Sequence, residues 1–235
     1  MIVQQSVNLQ LELHLRQKIA TGEYKYGEMI PSERKLSDLY GVSRVTVRKA
    51  LEKIEADGFL VRIQGKGAFV TMPHIEQTDV INSFSAILLE KGIEHKDVML
   101  YSGRTTVNFE LSEIFKLPKN SELYRIYRLR LGNGNPIALE DTFILPELID
   151  NIDSMDFSIN SPHEAFAANS VEIGKCRQVL SVVQLTAYQA KLLKIPTLSV
   201  CFMSKSIIWD KHERIIEYTI SYRDPRVFIY AADLR

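Results

Sequence analysis

Arg128-Leu129-Arg130 is the strongest candidate chemistry in the C-terminal two thirds of the chain. On a strand, residues two apart face the same side, so both guanidiniums can converge on one phosphate or carboxylate while Leu129 faces away with Arg125 and Tyr127. The same spacing also suits an exposed strand face paired with acids. Glu140, directly after the apolar Ile137-Ala138-Leu139, is a carboxylate that needs a partner, either one of those arginines or a ligand hydroxyl. A second concentration lies near the N-terminus. Residues 43–49 carry Arg44, Arg48 and Lys49 without one acid, and residues 59–71 carry Arg62 and Lys66 likewise. The two stretches could meet one phosphate backbone, although a small excess of charge also describes an ordinary solvated surface.

The 235 residues hold 29 basic and 29 acidic side chains and are 46% apolar, enough for two modest globular domains and unlike a collagen-like, disordered or disulfide-scaffold chain. The neutral total hides an asymmetry, because residues 1–71 carry 11 Lys/Arg against 8 Asp/Glu and the remainder is correspondingly acidic. No apolar run is long enough to span a membrane, and the first twenty residues contain Glu12, Arg16 and Lys18, so a cytoplasmic protein is expected. Cys176 and Cys201 have no CxxC or Cys/His spacing and are expected to be buried reduced thiols. No metal or cofactor is expected.

The N-terminal cations need helices to present them. Leu9, Leu11, Leu13, Leu15 and Ile19 mark a first helix ending near Thr21-Gly22. Pro31-Ser32 opens a second, with Ser32 as its cap and Leu36 and Leu39 on its buried side; Gly41 ends it. Ser43 can cap a third, whose Val47, Ala50, Leu51 and Ile54 fall at i, i+3, i+4 and i+7 and fix the inward face. Val45 and Lys49 then point away, Thr46 and Arg48 flank, and Arg44 lies in the first turn. Two short helices joined by a glycine turn, the second basic outside, describe a helix-turn-helix. Gly58 closes the third helix, and residues 59–63 and 68–70 read as strands around Gln64-Gly65-Lys66-Gly67, a wing. Its glycines either let the backbone approach a minor groove with Lys66 outward or merely serve a turn that needs positive φ.

The runs Pro31-Ser32-Glu33-Arg34-Lys35-Leu36, Gly41 through Leu51, Gly58-Phe59-Leu60 and Gly65 through Val70 resemble the winged helix-turn-helix of the GntR family of bacterial transcription regulators, in register over residues 8–71. The resemblance implies that Arg34 and Arg44 read bases, that Thr46 and Arg48 anchor phosphates, and that Gly65 to Gly67 approach the minor groove. Ser32 and Ser43, at helix N-termini, would cap their helices and can also favour phosphate. Ser37 departs from the family's usual alanine, with no loss of packing expected.

Residues 72–79 break periodicity, contain a proline and read as a linker between a DNA-binding domain of residues 1–71 and a second domain of residues 80–235. Beyond it the pattern is α+β: a helix at 80–91, then strands near 98–105, 123–131, 136–145, 178–185, 198–209 and 214–223, separated by short helices. An internal echo organises them. A helix with Leu111, Leu117-Pro118, a strand, the turn 132–135 and a return strand to Glu140 recur as a helix with Leu192, Ile195-Pro196, a strand, the turn 210–213 and a return strand to Glu217. The offset is 77 or 78 residues, so two related hairpins could pair into one sheet and enclose a site, or share only common hairpin grammar.

Residues 124–131, 134–140 and 217–223 resemble the effector-binding UTRA domain of the HutC branch of the same family, over roughly residues 80–233. The fold implied is chorismate-lyase-like, an α+β domain with a mainly antiparallel sheet. The resemblance implies a phosphate clamp of Arg128 and Arg130, a donor from Ser85, and ligand contacts from Glu140, Glu217 and Tyr222, with Ser161 from a loop. Ser161-Pro162-His163 and Asp224-Pro225-Arg226 depart from the family pattern; His163 is either a ligand-facing substitute or a solvated helix-end histidine. The expectation is therefore a homodimeric transcription repressor on a palindromic operator of double-stranded DNA, controlled by a small anionic effector such as a sugar phosphate. Its rivals are a chorismate-lyase-like enzyme, for which no nucleophile–base pair or metal set is legible, and a nonspecific DNA binder.

Overall fold

The computed structural model describes residues 6–71, 75–77 and 88–230, and the chain divides into two compact units at Ile75/Glu76. In the first, α1 (Val7–Ala20), α2 (Glu33–Tyr40) and α3 (Arg44–Ala56) are followed by the antiparallel strands β1 (Leu60–Ile63) and β2 (Gly67–Val70). Leu11, Leu15 and Ile19 of α1, Leu36 of α2 and Val47, Leu51 and Ile54 of α3 form one core, each side chain worth roughly 1.5 to 3 kcal/mol of burial. The backbone of residues 28–30 adds to β2, Ile30 N–H donating to Ala68 O and Val70 N–H to Glu28 O, both at 2.9 Å.

Caps fix the angle between α2 and α3. Ser32 Oγ accepts from Lys35 N–H at 3.4 Å, and Ser43 Oγ from Thr46 N–H at 3.1 Å. Between them Gly41 takes φ +64°, the left-handed conformation that a β-carbon disfavours. Ser37 Oγ donates to Val42 O at 2.6 Å, so the serine that departs from the family pattern ties α2 to the turn after it. One expectation fails here. Leu39 is 65% exposed, and Tyr40, at i+4 from Leu36, packs on the core instead; with only eight residues, α2 buries a narrower stripe than the i, i+3 pattern implies.

In the second unit β4 (His95–Thr106), β5 (Glu122–Gly132), β6 (Asn135–Ile144), β9 (Ile215–Arg223), β8 (Val200–Asp210) and β7 (Ile173–Gln184) lie in that order in one six-stranded sheet. The short strands β3 (Ile75–Gln77) and β10 (Phe228–Tyr230) pair separately. Helices α4 (Phe109–Phe115) and α6 (Ala187–Leu193) follow β4 and β7, and α5 (Pro162–Ala168) lies between β6 and β7. The two expected hairpins do join, through β6 and β9. Thr142 faces Thr219 with their hydroxyls 2.9 Å apart, and Glu140↔Ser221 and Ile144↔Glu217 flank that pair. A shift of 77 residues maps each of these pairings onto the other, so a pseudo-twofold axis passes between the two threonines.

Strand alternation separates the sheet's faces. Leu129, Leu139 and Tyr222 pack with Leu193, Ile195 and Cys201 near α6. Arg125 shares this face, bound to Asp141 at 2.7 and 2.8 Å and stacked 5.2 Å from the Tyr127 ring, as the Arg125/Tyr127/Leu129 alternation implies. The opposite face carries the Arg128/Arg130 side, where Phe157 and Phe166 are fully buried beside Ile126 and Tyr124. Both cysteines are free, but Cys176 is only half-buried, because β7 is a sheet edge. Of the expected linker, residues 72–74 and 78–79 lie outside the described residues and 75–77 form β3; of the expected helix at 80–91, residues 80–87 lie outside them and 88–90 are helical. Among the described residues no helix is long and apolar enough to cross a membrane.

Candidate functional site

The first candidate site is the outer face of α3 with the wing. Arg34, Arg44, Arg48, Lys49 and Lys66 are all exposed and Thr46 is half-exposed, while Val47, Ala50, Leu51 and Ile54 anchor the helix from below. Ser43 Oγ also meets Thr46 Oγ1 at 2.9 Å, which orients the threonine hydroxyl at the helix tip. Gly65 and Gly67 have φ of +75° and +123°, so the turn does require positive φ, and a β-carbon on Gly67 would meet Met29 Sδ at 3.0 Å. The cations fall into two sets. Arg34 and Arg44 make no salt bridge among the described residues, whereas Arg48 and Arg62 both engage Glu33, at 3.0 and 3.4 Å. This helix-and-wing face offers an arginine fork for base edges and further cations at its margin.

The second candidate is buried in the β-sheet unit. Arg128 and Arg130 do share a face, and they are 5% and 3% exposed. Asp97 on β4 takes Arg128 Nη1 at 3.2 Å and Arg130 Nε at 3.1 Å; Glu140 Oε2 takes Arg128 Nη2 at 3.2 Å and Arg130 Nη1 at 2.9 Å. Arg223 Nη2 approaches Glu140 Oε1 at 3.9 Å. Two carboxylates thus bridge two guanidiniums, the pairing with acids left open by the sequence, although on a buried rather than an exposed face. Burial by itself would raise the Glu140 carboxyl, but Arg130, Arg128 and Arg223 outweigh it and hold it down to about 2.

Two strands away, His163 Nε2 lies 3.4 Å from Glu217 Oε2. Burial pulls the imidazole down, and the Glu217 carboxylate outweighs it and raises the pKa above the ordinary histidine value. With its side chain 22% exposed and set against Glu217, His163 is not a freely solvated helix-end residue. It sits at the second position of α5, and the Ser161 capping box with Glu164 sets the start of that helix. Glu217 Oε1 also accepts from Thr219 Oγ1 at 2.8 Å, and Arg223 Nε donates to Ser221 Oγ at 3.0 Å. The face between the arginines and β8 is hydroxyl-rich: Thr142, Ser204, Ser206 and Ser221 are all buried. Ser204 Oγ has no hydrogen-bond partner among the described residues, which is uncommon for a buried polar group, and Glu217 Oε2 has only the 3.4 Å approach of His163 Nε2.

Of the residues expected at an effector site, the fold brings together Arg128, Arg130, Glu140, Glu217 and His163. It does not add Tyr222. Tyr222 pairs with Leu139 and Met203 and shares their face, opposite to Glu140, which pairs with Ser221. Alternation demands this, since 217 and 222 differ by an odd number. The Ser161 hydroxyl is occupied as a helix cap, and Ser85 lies outside the described residues. Sequence reasoning missed Asp97, Arg223 and the serines of β8. Counting in twos from Glu217 would have collected Thr219, Ser221 and Arg223 and rejected Tyr222.

A winged helix-turn-helix with an arginine-bearing recognition helix, joined to a β-sheet unit with a buried polar cluster, defines a DNA-binding regulator that carries a sensory domain. The chain matches two family models, "Bacterial regulatory proteins, gntR family" over residues 8–70 and "UTRA domain" over residues 90–228. It belongs to the GntR family of bacterial regulatory proteins, in the branch with a UTRA domain, and is a transcription regulator that binds DNA and a small-molecule effector. It is 28% identical to "HTH-type transcriptional repressor NagR" of Bacillus subtilis (strain 168), over 95% of this chain and 93% of that protein. It is 27% identical to "Probable fructoselysine utilization operon transcriptional repressor" of Escherichia coli (strain K12), over 83% and 81%. It is 23% identical to the histidine utilization repressor of Klebsiella aerogenes, over 89% of each. The crystal structure of PhnF from Mycobacterium smegmatis has the same fold, with a TM-score of 0.72 and 18% identity over 95% of this chain and 98% of that one.

Proposed function

We propose that the chain is a homodimeric, cytoplasmic repressor whose operator affinity is set by a small anionic metabolite, a sugar phosphate, held at the Arg128/Arg130/Arg223 cluster. The observation that carries this reading is the buried face itself, where three guanidiniums border a row of hydroxyls and the Ser204 hydroxyl has no hydrogen-bond partner among the described residues. A phosphate matches a pair of arginine forks as a carboxylate does, so it can take the place of Asp97 or Glu140 on them, while Ser204, Ser206 and Glu217 suit sugar hydroxyls. His163 beside Glu217 adds a positive charge when protonated, which favours an anionic guest. The fructoselysine repressor's name supports a sugar-derived ligand. In the head, Arg34 and Arg44 would read bases, Ser32, Ser43, Thr46, Arg48 and Lys49 would meet phosphates, and Gly65, Lys66 and Gly67 would enter the minor groove. The chain regulates rather than catalyses.

Dimerisation is supported by β7. It is an edge strand, residues 178–184 are uncharged, and Val179, Leu180 and Val182 are 50%, 41% and 63% exposed. Such an edge is ordinarily charged or covered, and a second copy pairing along it would cover it. The experiment is a thermal-shift screen of the full chain with sugar phosphates, the same unphosphorylated sugars, inorganic phosphate, amino acids and aromatic acids. A hit is then titrated against a duplex selected from a randomised pool. A phosphorylated sugar should raise Tm and shift duplex affinity by about 5- to 150-fold, with two chains per duplex. Unchanged affinity at saturating ligand would remove the switch.

A further inference from the structure

Glu33 stands where three elements of the head meet. From the first turn of α2 it accepts Arg48 Nη2 of α3 at 3.0 Å and Arg48 Nε at 3.3 Å on each oxygen, and it accepts Arg62 Nη1 of β1 at 3.4 Å. Arg62 reaches Glu55 as well, its Nε 2.9 Å from Oε2. The Glu33 side chain is 19% exposed, against 52% for Arg48 and 39% for Arg62, so the carboxylate is set back and the two cations stand over it. The Arg48 hydrogen bond holds the Glu33 carboxyl below its usual range, against burial, and it is ionised at neutral pH. Arg34 and Arg44, also exposed, engage no carboxylate in a salt bridge among the described residues, and Arg44 acts on Glu33 only at longer range.

This division of cations has a consequence for DNA. Sequence-independent affinity comes from cations that neutralise phosphates and release counterions, while discrimination comes from forks on base edges. A cation already neutralised by a carboxylate condenses less of a phosphate's charge onto itself and releases fewer counterions. We infer that Glu33 is an internal phosphate surrogate that sets specificity: it pairs with Arg48 and Arg62 and keeps them from binding any backbone indiscriminately, while the base-facing Arg34 and Arg44 stay out of salt bridges among the described residues. On a matching duplex, where base contacts hold the head close, phosphates displace the carboxylate from both guanidiniums. Glu33 is thus a positioning residue that acts through Arg48 and Arg62. The inference rests on the outer face of α3 meeting DNA.

The test uses the full chain, a labelled random-sequence duplex of about 30 base pairs, and binding isotherms from roughly 50 to 300 mM KCl. Glu33→Gln should tighten binding several-fold at the lowest salt and steepen the slope of log K against log salt by about 1 to 2. The same substitution in an Arg48→Gln/Arg62→Gln background should change neither quantity, a dependence that a role in folding alone would not show. A Glu33→Gln chain with wild-type Tm and unaltered or weaker random-duplex affinity overturns the inference. If Arg44→Ala and Arg48→Ala both leave duplex binding untouched, the DNA-facing reading of α3 falls first and takes the inference with it.

Discussion

The head and the sheet unit both hold arginines on carboxylates, but they do so in different dielectric settings. Glu33, Arg48 and Arg62 meet at a surface where water and salt screen them, and such contacts are worth about 0 to 1 kcal/mol each. Asp97, Arg128, Arg130 and Glu140 meet where every side chain is at most 6% exposed. An exposed pair can exchange its carboxylate for a DNA phosphate at little cost. A buried cluster must be given equivalent charge by whatever enters, because an uncompensated guanidinium there is strongly disfavoured. The contrast suits the tasks proposed for them: a head that engages and releases a polyanion, and a body that would change state only for a ligand of the right charge.

The sharpest way to break this comparison is to remove one carboxylate from each network. Glu140→Gln should destabilise the sheet unit by about 3 to 5 kcal/mol, because it leaves buried arginines short of a counter-charge. Glu33→Gln should destabilise the head by less than about 1 kcal/mol. Urea unfolding followed by probes in each unit measures both, and similar losses would erase the distinction. Acid offers a second route. With its folded pKa held down to about 2 against an ordinary value of 4.5, Glu140 contributes stability that is complete above pH 4.5 and is lost as pH falls through 2. The amount is on the order of 3 kcal/mol.

The next effect is in recognition rather than stability. Arg44→Ala should cost about 1 to 3 kcal/mol of discrimination between a selected duplex and scrambled competitor. In a Glu33→Gln background, where Arg48 has lost its carboxylate partner, Arg48→Ala should weaken both duplexes alike and lower the salt slope. Competition binding of the two variants separates the roles, and equal losses on both duplexes for both variants would contradict the assignment.

The two units also differ in how far their residues betray them. The head is local: Ser32, Gly41 and Ser43 mark its helix ends, and the i, i+3, i+4, i+7 spacing of α3 survives intact in the fold. Its one misplacement, Leu39, came from extending a helical stripe across eight residues. In the sheet unit the strands were legible from alternation and the hairpin pairing from the 77-residue echo, because each depends on short-range pattern. The cluster was half legible. Arg128, Arg130 and Glu140 lie along one hairpin, but Asp97 comes from β4 and Ser204 and Ser206 from β8. Only register brings such distant strands together, and no local pattern encodes register between non-adjacent hairpins.

The smallest expected effect lies near neutral pH and belongs to the sheet unit. His163 faces Glu217 at 3.4 Å, with Glu140 and Arg128 acting on it at longer range; the two carboxylates raise its pKa, and Arg128 and burial oppose them. A histidine whose folded pKa exceeds its unfolded value stabilises the fold fully below about pH 6.5, and that contribution disappears as pH rises through the folded value. The sheet unit should therefore soften slightly from pH 6 towards pH 8. His163→Gln should flatten that dependence while leaving the acid transition of Glu140 in place. Melting curves of the wild type and the variant across this range decide it. A wild-type Tm that climbs with pH, or a slope the variant retains, would mean that His163 is not held charged by Glu217. An anionic effector at the neighbouring arginines would then have to bind without that extra positive charge.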